Sequence, residues 1–279
     1  MNNEGQIDYW NGPAGEKWVA EASRLDRMLA PFAEAVLEAA QLQSDERVMD
    51  IGCGAGALSL MAAKQVGADK GVLGVDISAP LLALASHRAR EASLPAQFER
   101  ADASSYAASM PADAVISRFG VMFFADPVAA FANILANTAS GGRLAFACWQ
   151  ALPQNDWAFA PIRAALPFLN EPPQPGEPNA PGPFAFQDKD RTAGILRQAG
   201  WQDVEIAPLE FDMALPDDDV EASAKFMLQL GPLSRLLADQ GIATGPVEAA
   251  LQQLLSQHQA EDGRVRMKAA SWIVTARKA

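Results

Sequence analysis

Val48-Met49-Asp50-Ile51-Gly52-Cys53-Gly54-Ala55-Gly56 is an apolar strand that ends in an acid and runs into three glycines at alternate positions. Ala57 to Val66 continues as an apolar, helix-like stretch. Strand, glycine turn and helix in this order form a nucleotide-binding geometry. Gly52 and Gly54 permit tight turning and close approach of the backbone to a ligand. The helix N-terminus beyond them offers free N–H groups and partial positive charge. In open α/β sheets, ligands bind at the carboxyl ends of strands, at the topological switch point. By itself the segment specifies only that some nucleotide is bound.

Strands and helices alternate on its C-terminal side. Strands are predicted at 47–51, 71–76, 96–101, 114–117 and 143–148, with helices at 57–66, 80–92 and 126–137 between them. Ser78 is expected to cap the second of these helices and Asp126 to open the third. Alternation at this spacing argues for βαβ units and a parallel sheet covered on both faces. On the N-terminal side, Leu25, Met28, Leu29, Phe32, Val36 and Leu37 recur at helical spacing over 21–41, with a break or kink expected near Pro31. Residues 1–19 read as a polar and aromatic lead-in. Past Trp149 the character changes. Residues 153–183 hold nine prolines, clustered in Glu171-Pro172-Pro173-Gln174-Pro175-Gly176-Glu177-Pro178, and read as a long loop. A helix over 188–198, a strand over 201–213, helices over 217–240 (broken at Gly231-Pro232) and 246–258, and a strand over 270–276 complete the chain.

Two further acids narrow the ligand. Asp76 ends the second strand, 20 residues after Gly56; a carboxylate there can accept both hydroxyls of a ribose. Asp102 follows the third strand, within reach of an adenine amine. Each aspartate alone reads equally as a turn or cap residue, and the set of three is what has specificity. NAD is the rival cofactor, but its fingerprint G-x-G-x-x-G needs a third glycine three residues after the second, and here Gly56 already stands two residues after Gly54. A carboxylate at Asp50 also suits an ammonium or sulfonium better than a pyrophosphate.

The bulk properties exclude several classes. The chain has 279 residues, 49% hydrophobic and 20% charged, which describes a soluble globular protein with a sizeable core. A formal net charge of -12 makes DNA or RNA an unfavourable partner. Two cysteines, Cys53 and Cys148, and two histidines, His87 and His258, provide neither a disulfide framework nor a zinc cluster, so no metal is expected. No leader pattern or membrane-spanning run is visible, and a cytoplasmic location is the expectation.

With these residues in place, the sequence resembles the class I S-adenosylmethionine-dependent methyltransferases, and within them the small-molecule group that includes the ubiquinone/menaquinone-biosynthesis type. The resemblance is carried by 48–56, Gly74-Val75-Asp76-Ile77-Ser78, Arg100-Ala101-Asp102-Ala103, the stretch from Asp113 to Phe124, and Gly141-Gly142 before the fifth strand. It covers roughly 46–150, with an extension to 279. It implies a Rossmann-like, doubly wound α/β fold with seven strands in the order 3-2-1-4-5-7-6, the seventh antiparallel. Residues 1–45 would cap the site and 46–150 would form the cofactor core. Residues 151–279 would supply the rest of the sheet (about 188–213 and 265–279) and an acceptor-side helical insertion at about 217–258.

The resemblance also implies S-adenosyl-L-methionine as cofactor and S-adenosyl-L-homocysteine as product. Asp50, Gly52, Cys53, Gly54 and Gly56 would lie along the methionine part and the glycine loop. Asp76 and Ile77 would hold the ribose, and Asp102 and Ala103 the adenine. Ser117 and Arg118 would line the amino-acid end, with a structural pairing of Arg118 to Asp50 or Asp126 as the other reading.

The acceptor is expected to be a small molecule methylated at O, N or C, in a pocket walled by Trp10, Phe119, Phe123, Trp149 and Trp157. The alternative for each ring is simple packing of cap on core. Methyl transfer from a sulfonium needs mainly alignment and water exclusion. No base is evident, and Tyr9, Asp126 and Asp156 are the acid–base candidates. His87 and His258 read as surface or helix-end residues. No membrane partner is expected, and the chain would be a monomer or homodimer. Two other classes stand beside this reading: an NAD-dependent oxidoreductase, and a non-catalytic protein that binds S-adenosylmethionine.

Overall fold

The computed structural model describes residues 4–67, 70–174 and 179–279. Its helices are α1 (Glu4–Asn11), α2 (Pro13–Ala20), α3 (Ala22–Ala40), α4 (Ala57–Ala63), α5 (Ala79–Ala92), α6 (Pro127–Ala136), α7 (Asp156–Ala165), α8 (Lys189–Gln198), α9 (Val220–Gln229), α10 (Pro232–Asp239) and α11 (Thr244–Ser256). Its strands are β1 (Val48–Ile51), β2 (Val72–Asp76), β3 (Ala96–Arg100), β4 (Ala112–Arg118), β5 (Thr138–Trp149), β6 (Gln202–Ala214) and β7 (Arg266–Arg277). They form one sheet in the order β3-β2-β1-β4-β5-β7-β6. The first five strands run parallel, and β7 lies antiparallel between β5 and β6. The fold expected from the sequence is therefore present.

The two-residue period of the strands decides what each face of the sheet holds. Val48, Val72, Ala114, Ile116, Ala145 and Ala147 share one apolar cluster with Ala33, Val36 and Leu37 of α3 and Leu58 and Ala62 of α4. The alternate residues Met49, Ile51, Val75, Val115, Leu144 and Phe146 belong to the other cluster, with Phe131 and Ile134 of α6 and Leu196 of α8. Small residues on the first face let α3 and α4 approach closely. Each large side chain buried on the second contributes about 1.5–3 kcal/mol. By the same parity, Asp50, Asp76 and Arg118 extend from the face that α3 and α4 cover.

Five local expectations are corrected. Residues 4–20 are not an irregular lead-in but two short helices, α1 and α2. Helices of 8 residues are marginal alone; these two are held by docking. The Asn11 side chain donates to the Ile77 carbonyl at 3.0 Å and accepts from the Ala79 N–H, and the Ser78 hydroxyl donates to the Trp10 carbonyl at 2.8 Å. Ser78 thus occupies the N-cap position of α5 but spends its side chain on α1 rather than on the cap.

The stretch 153–183 is not a continuous loop. It contains α7, whose buried Ala158, Pro161 and Ala165 pack inward, so tertiary burial overrides the cost of a proline inside a helix. Pro175–Pro178, within the proline cluster, lie outside the described residues. α3 passes through Pro31 as one helix, with the proline on its exposed face and the buried stripe from Leu25 to Leu37 intact. Gly141 and Gly142 lie within the long β5, where Gly141 has a φ of 74° and the register with β4 shifts, rather than in a turn ahead of it.

No helix among the described residues is long and apolar enough to cross a membrane.

Candidate functional site

The carboxyl ends of β1, β2 and β4 meet the glycine loop at one edge of the sheet. Gly52, Gly54 and Gly56 all have positive φ, at 65°, 52° and 81°. Gly52 is required by contact as well as conformation: a Cβ there would stand 2.7 Å from the Gly120 Cα. Gly56 faces Ala85 and Phe98 with equally little room. Gly54 differs, since a Cβ there would meet nothing within 4 Å. Its backbone borders open space, as a surface meant for a ligand does.

The loop is tied to its neighbours by hydrogen bonds. The Gly52 N–H donates to the Val75 carbonyl at 2.8 Å, and the Gly54 N–H donates to Asp76 Oδ2 at 2.8 Å. Asp76 Oδ1 accepts from the Ser78 N–H at 2.8 Å. Burial raises the Asp76 pKa, against these backbone hydrogen bonds, which favour its ionised form. A carboxylate has about four acceptor positions, so these backbone partners leave capacity for a ligand hydroxyl. On the other side, the Ser117 hydroxyl donates to the Ile51 carbonyl at 2.7 Å and accepts from the Gly120 N–H at 3.2 Å. Phe119, between Arg118 and Gly120, is held at a φ of 62°, a conformation unusual for a bulky residue.

A cavity of about 70 Å³ opens beneath the loop, and Trp18, Asp26, Asp50, Gly54, Leu58 and Arg118 are among its lining residues. Asp50 is 1% exposed. Its Oδ2 accepts from the Ser59 hydroxyl at 2.5 Å, while its Oδ1 is buried with no hydrogen-bond partner among the described residues. Burial raises its pKa to about 7, against the Ser59 hydrogen bond and the Arg118 charge. A buried orphan acceptor costs on the order of 1–3 kcal/mol, and a cationic N–H donor would relieve that cost. Arg118 presents the opposite charge to the same cavity. Its pKa is lowered by burial and supported by Asp26 and Asp50. Its ion-pair partner is Asp26 of α3, at 3.8 Å, and not Asp50 or Asp126. A lone acceptor beside a guanidinium suits the ammonium and carboxylate of an amino-acid zwitterion.

Asp102 accepts from the Ser104 N–H at 2.8 Å, in the turn after β3. The carbonyl of Ala103 accepts from the Asn133 side chain at 2.9 Å, and that of Ile77 from Asn11. Cys53 is buried in the loop and its thiol pKa is pushed well up, first by burial and then by Asp76 and Asp50, so it stays a neutral packing group.

The aromatic residues fall into two groups. Trp10 meets Trp18 and Phe123 edge-on, at 5.4 and 5.6 Å between centroids. Phe119 stacks on Trp149 at 4.0 Å and 7°, with Phe32 against both edges and Trp157 at 4.9 Å from Trp149. Trp149 is only 5% exposed. The acid–base candidates stand apart from the cavity lining. Asp126 caps α6 by accepting from the Ala129 N–H, Asp156 is the first residue of α7, and Tyr9 is an exposed ring beside Trp10 and Arg235.

Sequence reasoning passed over Asp26, Ser59 and Arg88, whose Nη1 donates to Asp26 Oδ2 at 2.9 Å. Ser59 had a signal, because it lies two residues into α4 on the face toward β1. Asp26 and Arg88 had none, since which way α3 and α5 are turned is set by packing.

Comparison with known proteins bears on the same part of the chain. Residues 48–142 match the family model described as a methyltransferase domain. An uncharacterised protein of Mycobacterium tuberculosis is 33% identical over 125 residues, 44% of this chain and 44% of that protein. The demethylmenaquinone methyltransferase of Thermus thermophilus is 32% identical over 132 residues, 46% of this chain and 59% of the relative. The match thus spans about half the length of these curated relatives. Among solved structures, phosphoethanolamine N-methyltransferase 2 of Haemonchus contortus, in complex with S-adenosyl-L-methionine, aligns with a TM-score of 0.58 at 16% identity, covering 100% of this chain and 60% of that one. Residues 48–142 are thus similar to a methyltransferase domain, and the fold of the chain is similar to that of class I, Rossmann-like methyltransferases.

Proposed function

We propose that this chain transfers the methyl group of S-adenosyl-L-methionine to a small organic acceptor. The observation that carries the proposal is the buried, unpartnered Oδ1 of Asp50 beside Arg118 in the cavity under the glycine loop. That pair matches the ammonium and carboxylate of the methionine end. Asp76 would hold the ribose hydroxyls while it fixes Gly54, and Asp102 and Ala103 would meet the adenine. Gly54 would lie along the cofactor, and Gly52, Cys53, Gly56, Ile77 and Ser117 would shape the loop around it. The bound cofactor supplies a sulfonium-activated methyl group for in-line displacement.

The chain's own part is alignment and exclusion of water. α1 closes over residues 77–79 through Asn11 and Trp10, which shields the nucleoside side. Residues 1–45 are proposed as this cap, and α9–α11 as the acceptor-side cap. Phe119, Trp149 and Trp157, with Trp10 and Phe123, are proposed to face the acceptor. Asp126 is engaged in capping α6 and Tyr9 is an exposed ring beside Arg235, so no proton relay is assigned, and an acceptor that ionises readily is favoured. The likeness to the demethylmenaquinone enzyme supports a flat, conjugated acceptor as a finer reading.

The experiment is a screen of small phenols, hydroquinones, amines and carbon acids with S-adenosyl-L-methionine, detecting S-adenosyl-L-homocysteine by mass spectrometry. Acceptor-dependent product is expected, and Trp149→Ala should raise KM or lower kcat for the acceptor. Binding of the cofactor without turnover by any class would favour a non-catalytic role.

A further inference from the structure

The cavity under the glycine loop contains one carboxylate that the cofactor reading does not use. Asp26 projects from α3 into the lining, beside Arg118. Its Oδ2 accepts from Arg88 Nη1 at 2.9 Å, and the same nitrogen donates to the Ala55 carbonyl of the glycine loop at 3.1 Å. Its Oδ1 lies 3.8 Å from Arg118 Nη2, too long for a hydrogen bond but close enough for charge to act. One carboxylate is thus shared unevenly by two arginines, and the closer one, Arg88, holds it against the loop. An anion brought to Arg118 must share that guanidinium with Asp26.

We propose that Asp26 is an internal competitor for the arginine that reads the cofactor's carboxylate, with Arg88 limiting how strongly it competes. The proposal rests on the cofactor reading above. Its chemistry is specific. Donor and product both carry the amino-acid carboxylate, so Asp26 lowers the grip on both. It thereby keeps the demethylated product from being retained. Because Asp26 belongs to α3, the grip on the amino-acid end is linked to the helix that roofs the site. Arg118 is then a ligand-reading group, and Asp26 and Arg88 are positioning residues that act through it.

The test compares two ligands that differ only in the carboxylate, S-adenosyl-L-methionine and its decarboxylated form, by titration calorimetry on the full chain. Asp26→Asn keeps an acceptor for Arg88 but removes the charge. It is expected to tighten S-adenosyl-L-methionine about three- to tenfold while leaving the decarboxylated ligand unchanged or weaker. Arg88→Gln frees Asp26 to move onto Arg118 and is expected to shift the ratio of the two affinities the opposite way. In an Arg118→Gln background, Asp26→Asn should no longer alter that ratio. Thermal melting checks that each variant folds, and the ratio of affinities within one variant cancels any general loosening of the site.

Equal weakening of both ligands by Asp26→Asn, or an unchanged ratio in both single variants, would overturn the proposal. Failure of the wild-type chain to bind either ligand would instead remove the cofactor reading, and the competitor role with it.

Discussion

Asp50 stands out among the side chains of the site because it combines a buried position, a hydrogen bond from Ser59 and an oxygen with no partner. Its pKa, raised to about 7 by burial, means that the folded chain keeps a proton which an unfolded aspartate releases near about 4. Protonation here therefore supports the fold at low pH, and that support is lost as pH climbs from about 4 through about 7. An ammonium partner needs the ionised carboxylate, so binding must expel the proton. Affinity for S-adenosyl-L-homocysteine is expected to improve as pH rises from about 6 to about 7, with proton release visible when calorimetry is repeated in buffers of different ionisation enthalpy. A flat profile would contradict the role given to Asp50. Ser59→Ala removes a hydrogen bond that favours the charged form. Affinity at neutral pH should fall about three- to tenfold, with the pH profile displaced upward. The place of Asp50 at the end of a strand was legible in the sequence. Its orphan oxygen was not, because that depends on how Ser59 and Arg118 are turned.

The glycine loop shows how far local sequence reaches at the level of an element. Alternating glycines after Val48–Ile51 signalled a turn with close approach, and acids at the ends of successive strands marked the ligand edge, whereas the face shared by Asp50, Asp76 and Arg118 came with the packed sheet. What each glycine is for came only with the fold. Gly52→Ala would drive a Cβ toward the Gly120 Cα at 2.7 Å, at a φ of 65°. A loss of stability of about 2–4 kcal/mol is expected in chemical denaturation. Gly54→Ala meets open space and carries only the conformational cost of about 1 kcal/mol. Its principal effect should be on cofactor affinity, through the loss of backbone contact. If Gly54→Ala unfolded the chain as readily as Gly52→Ala, the loop assignment would be wrong. α1, α2 and α7 were missed for a shared reason. Each is short or proline-bearing, so its helicity comes from docking rather than from its own residues.

Over the whole molecule, the sheet was legible down to the order of its strands, because alternation and the antiparallel last strand follow from element order and from resemblance. The relation between the N-terminal helices and the insertion was not. Arg24 of α3 bonds to Glu21 and, across to the insertion, to Asp217, and its guanidinium lies 4.7 Å from the Phe226 ring of α9. Arg235 of α10 lies 5.7 Å from the Tyr9 ring of α1. The N-terminal helices and the insertion are thus joined by cations on rings. Arg24→Ala should lower stability by about 1–2 kcal/mol and increase cleavage near residues 12–21 and 214–220 in limited proteolysis, while leaving the sheet intact by circular dichroism. The central claim, that the cavity under the glycine loop receives the amino-acid end of S-adenosylmethionine, is tested most directly by titrating S-adenosyl-L-homocysteine into the wild-type chain and into Asp50→Ala and Arg118→Gln. One site per chain, with affinity lost at least about tenfold in each variant, is the predicted result. Absence of binding to the wild type, or equal affinity in all three proteins, would contradict it.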